Sequence, residues 1–322
     1  MTGMRDNALA RVLDGTGLDL SRPFRVLAYG DPNVDLVFAV QRAPAADEKA
    51  LGRRLGRFAG GTVANAGCAA AALGCSTQAF GRVGDDADGR FLLDAYARHR
   101  VATGHVRTVA GAPSACAMIM LEPGGEKALV YAPLPGAPFD APALGRALAA
   151  STLLYAMPYD PGEFAGVLAL ARAAGTVVAI DVEAAMAPRA GDIERLLGQA
   201  AVVFMNAATY RRLFGREPES GHLRGLMAHG PALMVVTCGA AGALAATRDE
   251  AASQPAFRVA AVDSTGAGDC FNGAFLTALF EGRQLADCLR FACAAASFAV
   301  ARLGAREGIP SRAQVDALAA LD

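Results

Sequence analysis

Asp263-Ser264-Thr265-Gly266-Ala267-Gly268-Asp269, running directly into the apolar segment Cys270-Phe271-Asn272-Gly273-Ala274-Phe275-Leu276, decides how this chain is read. Two glycines flank Ala267 where the pattern predicts a helix to begin, so backbone N–H groups can converge there without side chains in the way. A helix start with open amides suits an anion. Asp269 stands at the edge of that nest as a carboxylate that would repel the same anion, and so needs a separate task. A general base next to a phosphate cradle suggests phosphoryl transfer.

Taken alone, Gly-x-Gly-Asp also fits a capped helix whose glycines are only turn residues. A dinucleotide-binding Gly-x-Gly-x-x-Gly would need glycine at 271, where the chain has Phe271. A Walker A loop fails more firmly. The only lysines are Lys49 and Lys127, and neither closes a glycine-rich loop followed by Ser or Thr.

Upstream of this stretch, Thr152 to Ala156, Thr176 to Asp181, Ala201 to Met205 and Leu233 to Thr237 read as strands separated by helices. Such alternation implies a parallel sheet covered on both faces. Asp181, Asn206 and Thr237 end their strands on one rim. Thr237-Cys238-Gly239-Ala240-Ala241-Gly242 lets a nucleotide approach, or is a plain hairpin turn into a strand from Ala243 to Thr247. Downstream, helices are predicted from Gly266 to Phe280 and from Leu285 to Leu303, each stopped by a glycine.

Nearer the start, the strand Phe24 to Tyr29 ends at Gly30-Asp31-Pro32-Asn33-Val34-Asp35. Asn33 and Asp35 offer an amide and a carboxylate two residues apart, suited to vicinal hydroxyls, although turn chemistry also explains them. Gly60-Gly61 opens an alanine-rich helix with Asn65 one turn in. Ser76 to Phe80 reads as a strand and Gly81-Arg82-Val83-Gly84-Asp85-Asp86 as a turn-rich loop into a helix. Two excursions of short β runs, at 36–58 and 106–132, are alike enough in character to join in one small sheet outside the main core. The second contains a predicted hairpin across Glu122-Pro123-Gly124-Gly125-Glu126-Lys127.

Composition narrows the function classes. The chain has 322 residues, 53% of them hydrophobic and 19% charged, enough for one large α/β domain with a small appendage. No apolar run reaches the ~18 residues needed to span a bilayer. Thirty basic against 31 acidic residues leave a net charge of −1, with no electrostatic footprint for nucleic acid or an anionic membrane. Seven cysteines without a Cys-x-x-Cys pair read as reduced thiols of a cytoplasmic protein. The four histidines lack ligand spacing, so no zinc site is implied.

Taken in order, Gly30-Asp31 with Asn33 and Asp35, Gly60-Gly61 with Asn65, Gly81-Arg82-Val83-Gly84-Asp85-Asp86, Thr237-x-Gly239-x-x-Gly242 and Asp263-x-Thr265-Gly266-Ala267-Gly268-Asp269 resemble the ribokinase-like (PfkB-type) carbohydrate kinases. The resemblance implies a three-layer α/β/α core with a mainly parallel sheet and a small β-sheet lid. It implies a kinase domain over 24–322 after an N-terminal extension over 1–23, with lid segments at 36–58 and 106–132. By the same resemblance Asp269 is the catalytic base, Gly266, Ala267 and Gly268 form the anion hole, and Asn33, Asp35, Gly60, Gly61 and Asn65 bind the sugar. Asn206, Thr237, Gly239 and Gly242 match the side that holds ATP and Mg²⁺. A K⁺ site is implied near Asp263 and Gly304, and a homodimer would form through lid-strand edges.

The chain departs from the family at Asn206-Ala207-Ala208-Thr209, where a glutamate commonly replaces Thr209. Glu183 or Asp181 then assists the metal, or ATP and water hold it. The reading is an ATP-dependent phosphotransferase acting on an alcohol group of a sugar. The alternatives are a nucleoside kinase of the same fold, or a catalytically silent relative that binds a sugar or nucleoside as a regulator. Arg53, Arg54 and Arg57, in the first lid excursion, would favour an anionic sugar, or simply reflect arginine as the preferred base of a lysine-poor chain.

Overall fold

Apolar side chains fill both faces of nearly every strand in the core, and in the computed structural model this produces a sheet covered on both sides. The structure describes residues 24–123, 127–136, 138–189 and 191–320; the expected extension over 1–23 and the tip of the predicted hairpin, 124–126, lie outside them. Strands β1 (Arg25–Tyr29), β2 (Asn33–Val40) and β3 (Gly52–Gly60) precede α1 (Thr62–Ala72), β4 (Ser76–Gly84), α2 (Ala87–Arg98) and β5 (Ala102–Val109). Next come β6 (Cys116–Leu121), β7 (Lys127–Ala132), α3 (Ala141–Ala149), β8 (Leu153–Ala156), α4 (Pro161–Ala174), β9 (Val177–Val182) and α5 (Asp192–Leu197). The chain continues through β10 (Val202–Asn206), α6 (Ala207–Phe214), α7 (Ser220–Leu226), β11 (Leu233–Thr237), β12 (Ala243–Thr247) and β13 (Ala251–Gln254). It closes with α8 (Ala267–Phe280), α9 (Leu285–Ala299) and α10 (Arg312–Ala319).

The large sheet has nine strands in the order β13-β12-β11-β10-β9-β8-β1-β4-β5. All pairings from β11 to β5 are parallel, and β12 and β13 add on antiparallel. Val26 and Ala28 face α1, α8, α9 and α10, while Leu27 faces α3 and α4. The same alternation recurs in β10, where Phe204 joins the first layer and Val203 and Met205 the second. This is the three-layer α/β/α arrangement. Chain order reverses at β1, which pairs with β4 on one side and β8 on the other. Ligands of open α/β sheets bind at such a switch point, beyond the carboxyl ends of the strands.

A second sheet, β3-β2-β6-β7, stands apart from the first. β6 and β7 pair antiparallel, as the hairpin pattern predicts, and β2 pairs with β6 in parallel. Its second contribution begins at Cys116 and not at 106, because Val106 to Val109 belong to β5 of the large sheet.

Two other boundaries differ from the sequence reading. Gly81 to Gly84 continue β4 instead of forming a loop. Their glycines answer to packing: a Cβ on Gly81 would collide with the Gly30 carbonyl, and one on Gly84 with the Ala112 carbonyl. Helix α9 stops at Ala299, short of Gly304. Here the Val300 carbonyl accepts the N–H groups of Val262 at 2.7 Å and Asp263 at 3.2 Å, so the chain turns toward the 263 segment.

Helices α1 and α8 lie nearly in backbone contact. A Cβ on Gly273 would sit on the Ala66 carbonyl and 3.0 Å from the Ala69 Cβ. Neither neighbour is the free end of a flexible chain, so the helices themselves would have to part. Gly273→Ala is therefore expected to lower stability by roughly 1–3 kcal/mol, the usual cost of overpacking. A urea titration reads this as a lower midpoint at unchanged slope, and a midpoint equal to wild type would contradict the close packing.

Candidate active site

Helix α8 begins without a side-chain cap. Its N-cap, Gly266, has φ 76°, a left-handed value that favours glycine, and a Cβ there would lie 2.5 Å from the Ala305 carbonyl oxygen. The Cys270 N–H makes the first α-helical bond, to the Gly266 carbonyl at 2.8 Å. The helix ladder thus leaves Gly266 and Gly268 amides open ahead of it, while the Ala267 N–H leans on the Ser264 carbonyl at 3.3 Å. Among the described residues, two of the three expected anion-hole amides have no hydrogen-bond acceptor, and the third is partly used.

Asp269 points across the α1–α8 contact, where its Oδ2 accepts the Asn65 Nδ2–H at 2.8 Å. Burial raises its pKa to about 6; the Asn65 hydrogen bond and Arg306 pull it down, while Glu183 and Asp35 push it up. Asn33 and Asp35 are both 7% exposed, and Asn33 Nδ2 donates to Asp35 Oδ1 at 2.6 Å. Asp35 is likewise raised to about 6, by burial, against the Asn33 hydrogen bond and the Arg306 charge. The Asp35 carboxylate occupies the space a Cβ on Gly60 would need. Gly61, at φ 98°, then turns the chain from β3 into α1 and so delivers Asn65. These five positions and Asp269 converge on one site.

Asn206 and Thr237 are partners in register at the ends of β10 and β11. Asn206 Oδ1 accepts the Thr209 N–H at 2.8 Å and so caps α6, and Thr209 is 5% exposed. Gly239 borders open space. Gly242, at φ 98°, turns β11 into the antiparallel β12, as the hairpin alternative expects, and a Cβ there would also overlap the Gln254 carbonyl of β13. Among the described residues no hydrogen bond or ion pair joins this group directly to Asp269.

The 263 and 304 segments do meet. Asp263 accepts the Thr265 N–H on Oδ1 and the Gly304 N–H on Oδ2, each at 2.9 Å. Of the arginines expected to favour an anionic sugar, Arg57 pairs with Asp88 and stacks on Phe91 at 4.3 Å, committed to α2. Arg53 and Arg54 are exposed on β3.

Asp181 and Glu183 are among the carboxylates the sequence offers for a metal, whereas Tyr155, Tyr159, Asn272, Lys127 and Arg306 had no site signal of their own. Asn272, one turn after Asp269, donates to the Tyr155 hydroxyl at 2.9 Å and to Asp181 Oδ2 at 3.0 Å. Burial, then Asp269 and Glu183, hold the Asp181 carboxyl well above the ordinary carboxylate range. Glu183 accepts from the Tyr159 hydroxyl. Lys127, at the start of β7, reaches Thr265 Oγ1 at 3.5 Å. Arg306 is 3% exposed and bonds Asn65 and Gly60. Only its place just beyond Gly304-Ala305 hinted at a role.

A model of the pfkB family carbohydrate kinases matches residues 24–312. The ribokinase of Bacillus subtilis is 31% identical over 304 residues, 91% of this chain and 98% of that protein. A nucleoside kinase of Methanothermobacter thermautotrophicus is 26% identical over 295 residues, 88% and 92% of the two chains. The structure of Arabidopsis thaliana ribokinase complexed with ribose and ATP superimposes with a TM-score of 0.80 at 26% identity, covering 94% of this chain and all of that one. With a matching layered sheet and an uncapped helix start beside a half-buried aspartate, the chain belongs to the pfkB family of carbohydrate kinases.

Proposed function

We propose that this protein transfers the γ-phosphoryl group of ATP to a hydroxyl of an uncharged sugar, with Asp269 as general base. The observation that carries the reading is the placing of Asp269 by Asn65, beside the open amides of α8 and within electrostatic range of Asp35. Asn33, Asp35 and the Gly60-Gly61 turn would grip the sugar. Asp269 accepts the proton of the attacking hydroxyl as its oxygen bonds to phosphorus, and the bond to the ADP oxygen breaks. The Gly266 and Gly268 amides face the charge carried by the transferred group. Closure of the small sheet would exclude water as a competing acceptor.

An uncharged acceptor is favoured because Asp35, Asp181, Glu183 and Asp269 gather around the site, while Arg57 is engaged elsewhere, Arg306 is bound to Asn65 and Gly60, and Lys127 reaches Thr265 beside the start of α8. The oxygen-rich rim also fits a hard divalent ion that keeps its water, as magnesium does. Magnesium arriving with the nucleotide would neutralise phosphate charge. Asp181 is tied to Tyr155 and Asn272 through Oδ2, and Glu183 to the Tyr159 hydroxyl through Oε2, so either carboxylate would order that water through its other oxygen. Carbonyls between the Asp263 segment and Gly304 would hold K⁺. The cysteines are all free, which suits a reducing cytoplasm.

The free β7 edge of the small sheet exposes Leu129, Val130 and Tyr131, which supports a homodimer through the lid. Light scattering should then give about twice the 32.9 kDa chain mass, and a monomer at working concentration would remove the dimer.

ATP consumption over a panel of pentoses, hexoses, sugar acids and nucleosides tests the function. Turnover is expected with neutral sugars, and ligand binding without ADP formation would instead mark a silent relative. Asp269→Asn should lower kcat by about a thousandfold while ATP still binds; a variant near the wild-type rate would refute the base.

The base works ionised, so turnover should fall as pH drops through about 6, with a slope above one if Asp35 must ionise too. Stability runs the other way. The folded Asp269 keeps its proton up to about 6 against an ordinary 3.8, so the fold loses stability as pH rises through that window and stays lower above it. Asp269→Asn should accordingly melt above wild type at pH 7.5, with the gap closing toward pH 4.

A further inference from the structure

We propose that Arg306 is a positioning residue that fixes the orientation of Asn65, and through it the carboxylate of Asp269, while tying both to the turn at Gly60. The inference rests on the kinase reading above. Arg306 is 3% exposed, its Nε donates to Asn65 Oδ1 at 2.7 Å and its Nη2 to the Gly60 carbonyl at 2.5 Å. The guanidinium also lies 5.2 Å from the Tyr96 ring centre. Among the described residues no carboxylate forms an ion pair with it. The Cys68 thiol is a further neutral partner, and a buried cation held only by neutral groups is costly to keep unless its charge is used nearby.

The use is visible in the amide. Arginine only donates, so the Asn65 carbonyl oxygen must face it, which leaves the Asn65 NH₂ for Asp269. An Asn65 turned the other way would set its oxygen against a carboxylate, an arrangement tolerable only if Asp269 were protonated. Arg306 thus keeps the base ionised by two routes: through the amide it orients and through its own charge. The groups acting on Asp269 are Asn65 on α1, Asp35 on β2, Asp181 and Glu183 on and after β9, and Arg306 after α9.

The loop that carries Arg306 is itself anchored to the anion nest. The Gly304 N–H donates to Asp263, and Ala305 packs on Gly266. Gly60, the other acceptor, pairs with Asn33 at the start of β2. One side chain therefore joins the sugar-side turn, the base and the loop behind the phosphate cradle.

Two variants separate charge from geometry: Arg306→Lys keeps the charge and loses the fork, and Arg306→Gln loses both. Steady-state kinetics across pH are paired with carbon-13 NMR titration of the Asp269 carboxyl, assigned by its absence in Asp269→Asn. Arg306→Lys should lower kcat about tenfold with the acid limb unmoved and the KM for ATP unchanged. Arg306→Gln should lower kcat further and move both the acid limb and the NMR titration upward by about half a unit or more.

An Arg306→Gln enzyme with kcat within twofold of wild type per folded molecule and an unmoved titration would overturn the proposal, whatever its melting temperature. Should that variant not fold, an unchanged kcat in Arg306→Lys overturns it alone. A wild-type protein that consumes no ATP with any sugar defeats the kinase reading instead. The NMR titration still reports the coupling of Arg306 to Asp269 in that case.

Discussion

The hydrogen bond from Asn65 to Asp269 crosses the contact between α1 and α8, and the arrangement of the site follows from how closely those helices meet. Gly273 allows the approach, since any side chain there would strike the Ala66 backbone. Cys270, Phe271 and Phe275 then bury α8 against the central strands. The helix start is thereby fixed at the carboxyl ends of the strands, where its open amides and positive dipole end meet the ligand side of the sheet. Asn65 reaches Asp269 only because Gly60 and Gly61 turn β3 into α1 above the Asp35 carboxylate.

This geometry sets stability against function. Asp35 and Asp269 are carboxylates held in surroundings that favour their protonated forms, and burial with Asp269 and Glu183 nearby raises the Asp181 carboxyl too. A packed apolar site would be more stable. What it would lose, on the proposed reading, is a base poised near neutral pH to take a proton from the acceptor hydroxyl. Arg306 offsets part of the cost for Asp35 and Asp269 alike. Its burial makes sense beside two carboxylates and would be hard to explain beside none.

Much of this was legible in the residues. Strand β11 runs from Leu233 to Thr237 and β12 from Ala243 to Thr247, as their apolar runs and the intervening glycines predict. The start of α8 falls within one residue of its predicted place because a Gly-x-Gly before an apolar run leaves few alternatives. Strand β5 was harder to read, since Thr103, Gly104 and His105 show little alternation on an edge that solvent largely covers. The Gly81 to Gly84 stretch misled because glycine marks both turns and close strand packing, and sequence alone does not separate the two. Arg306, Tyr155 and Asn272 were missed because their roles depend on contacts across more than a hundred residues of chain. No local period encodes such pairs.

The central claim is that the carboxylate at 269 and the amides at the start of α8 act together on one phosphoryl group and one alcohol. Phosphorus-31 NMR of the protein with ATP, magnesium and a neutral pentose follows that transfer directly. The account predicts a new phosphomonoester resonance growing in equal amount with ADP, and no free phosphate. ADP accompanied only by inorganic phosphate, or a spectrum of unchanged ATP with every neutral sugar tried, would contradict it.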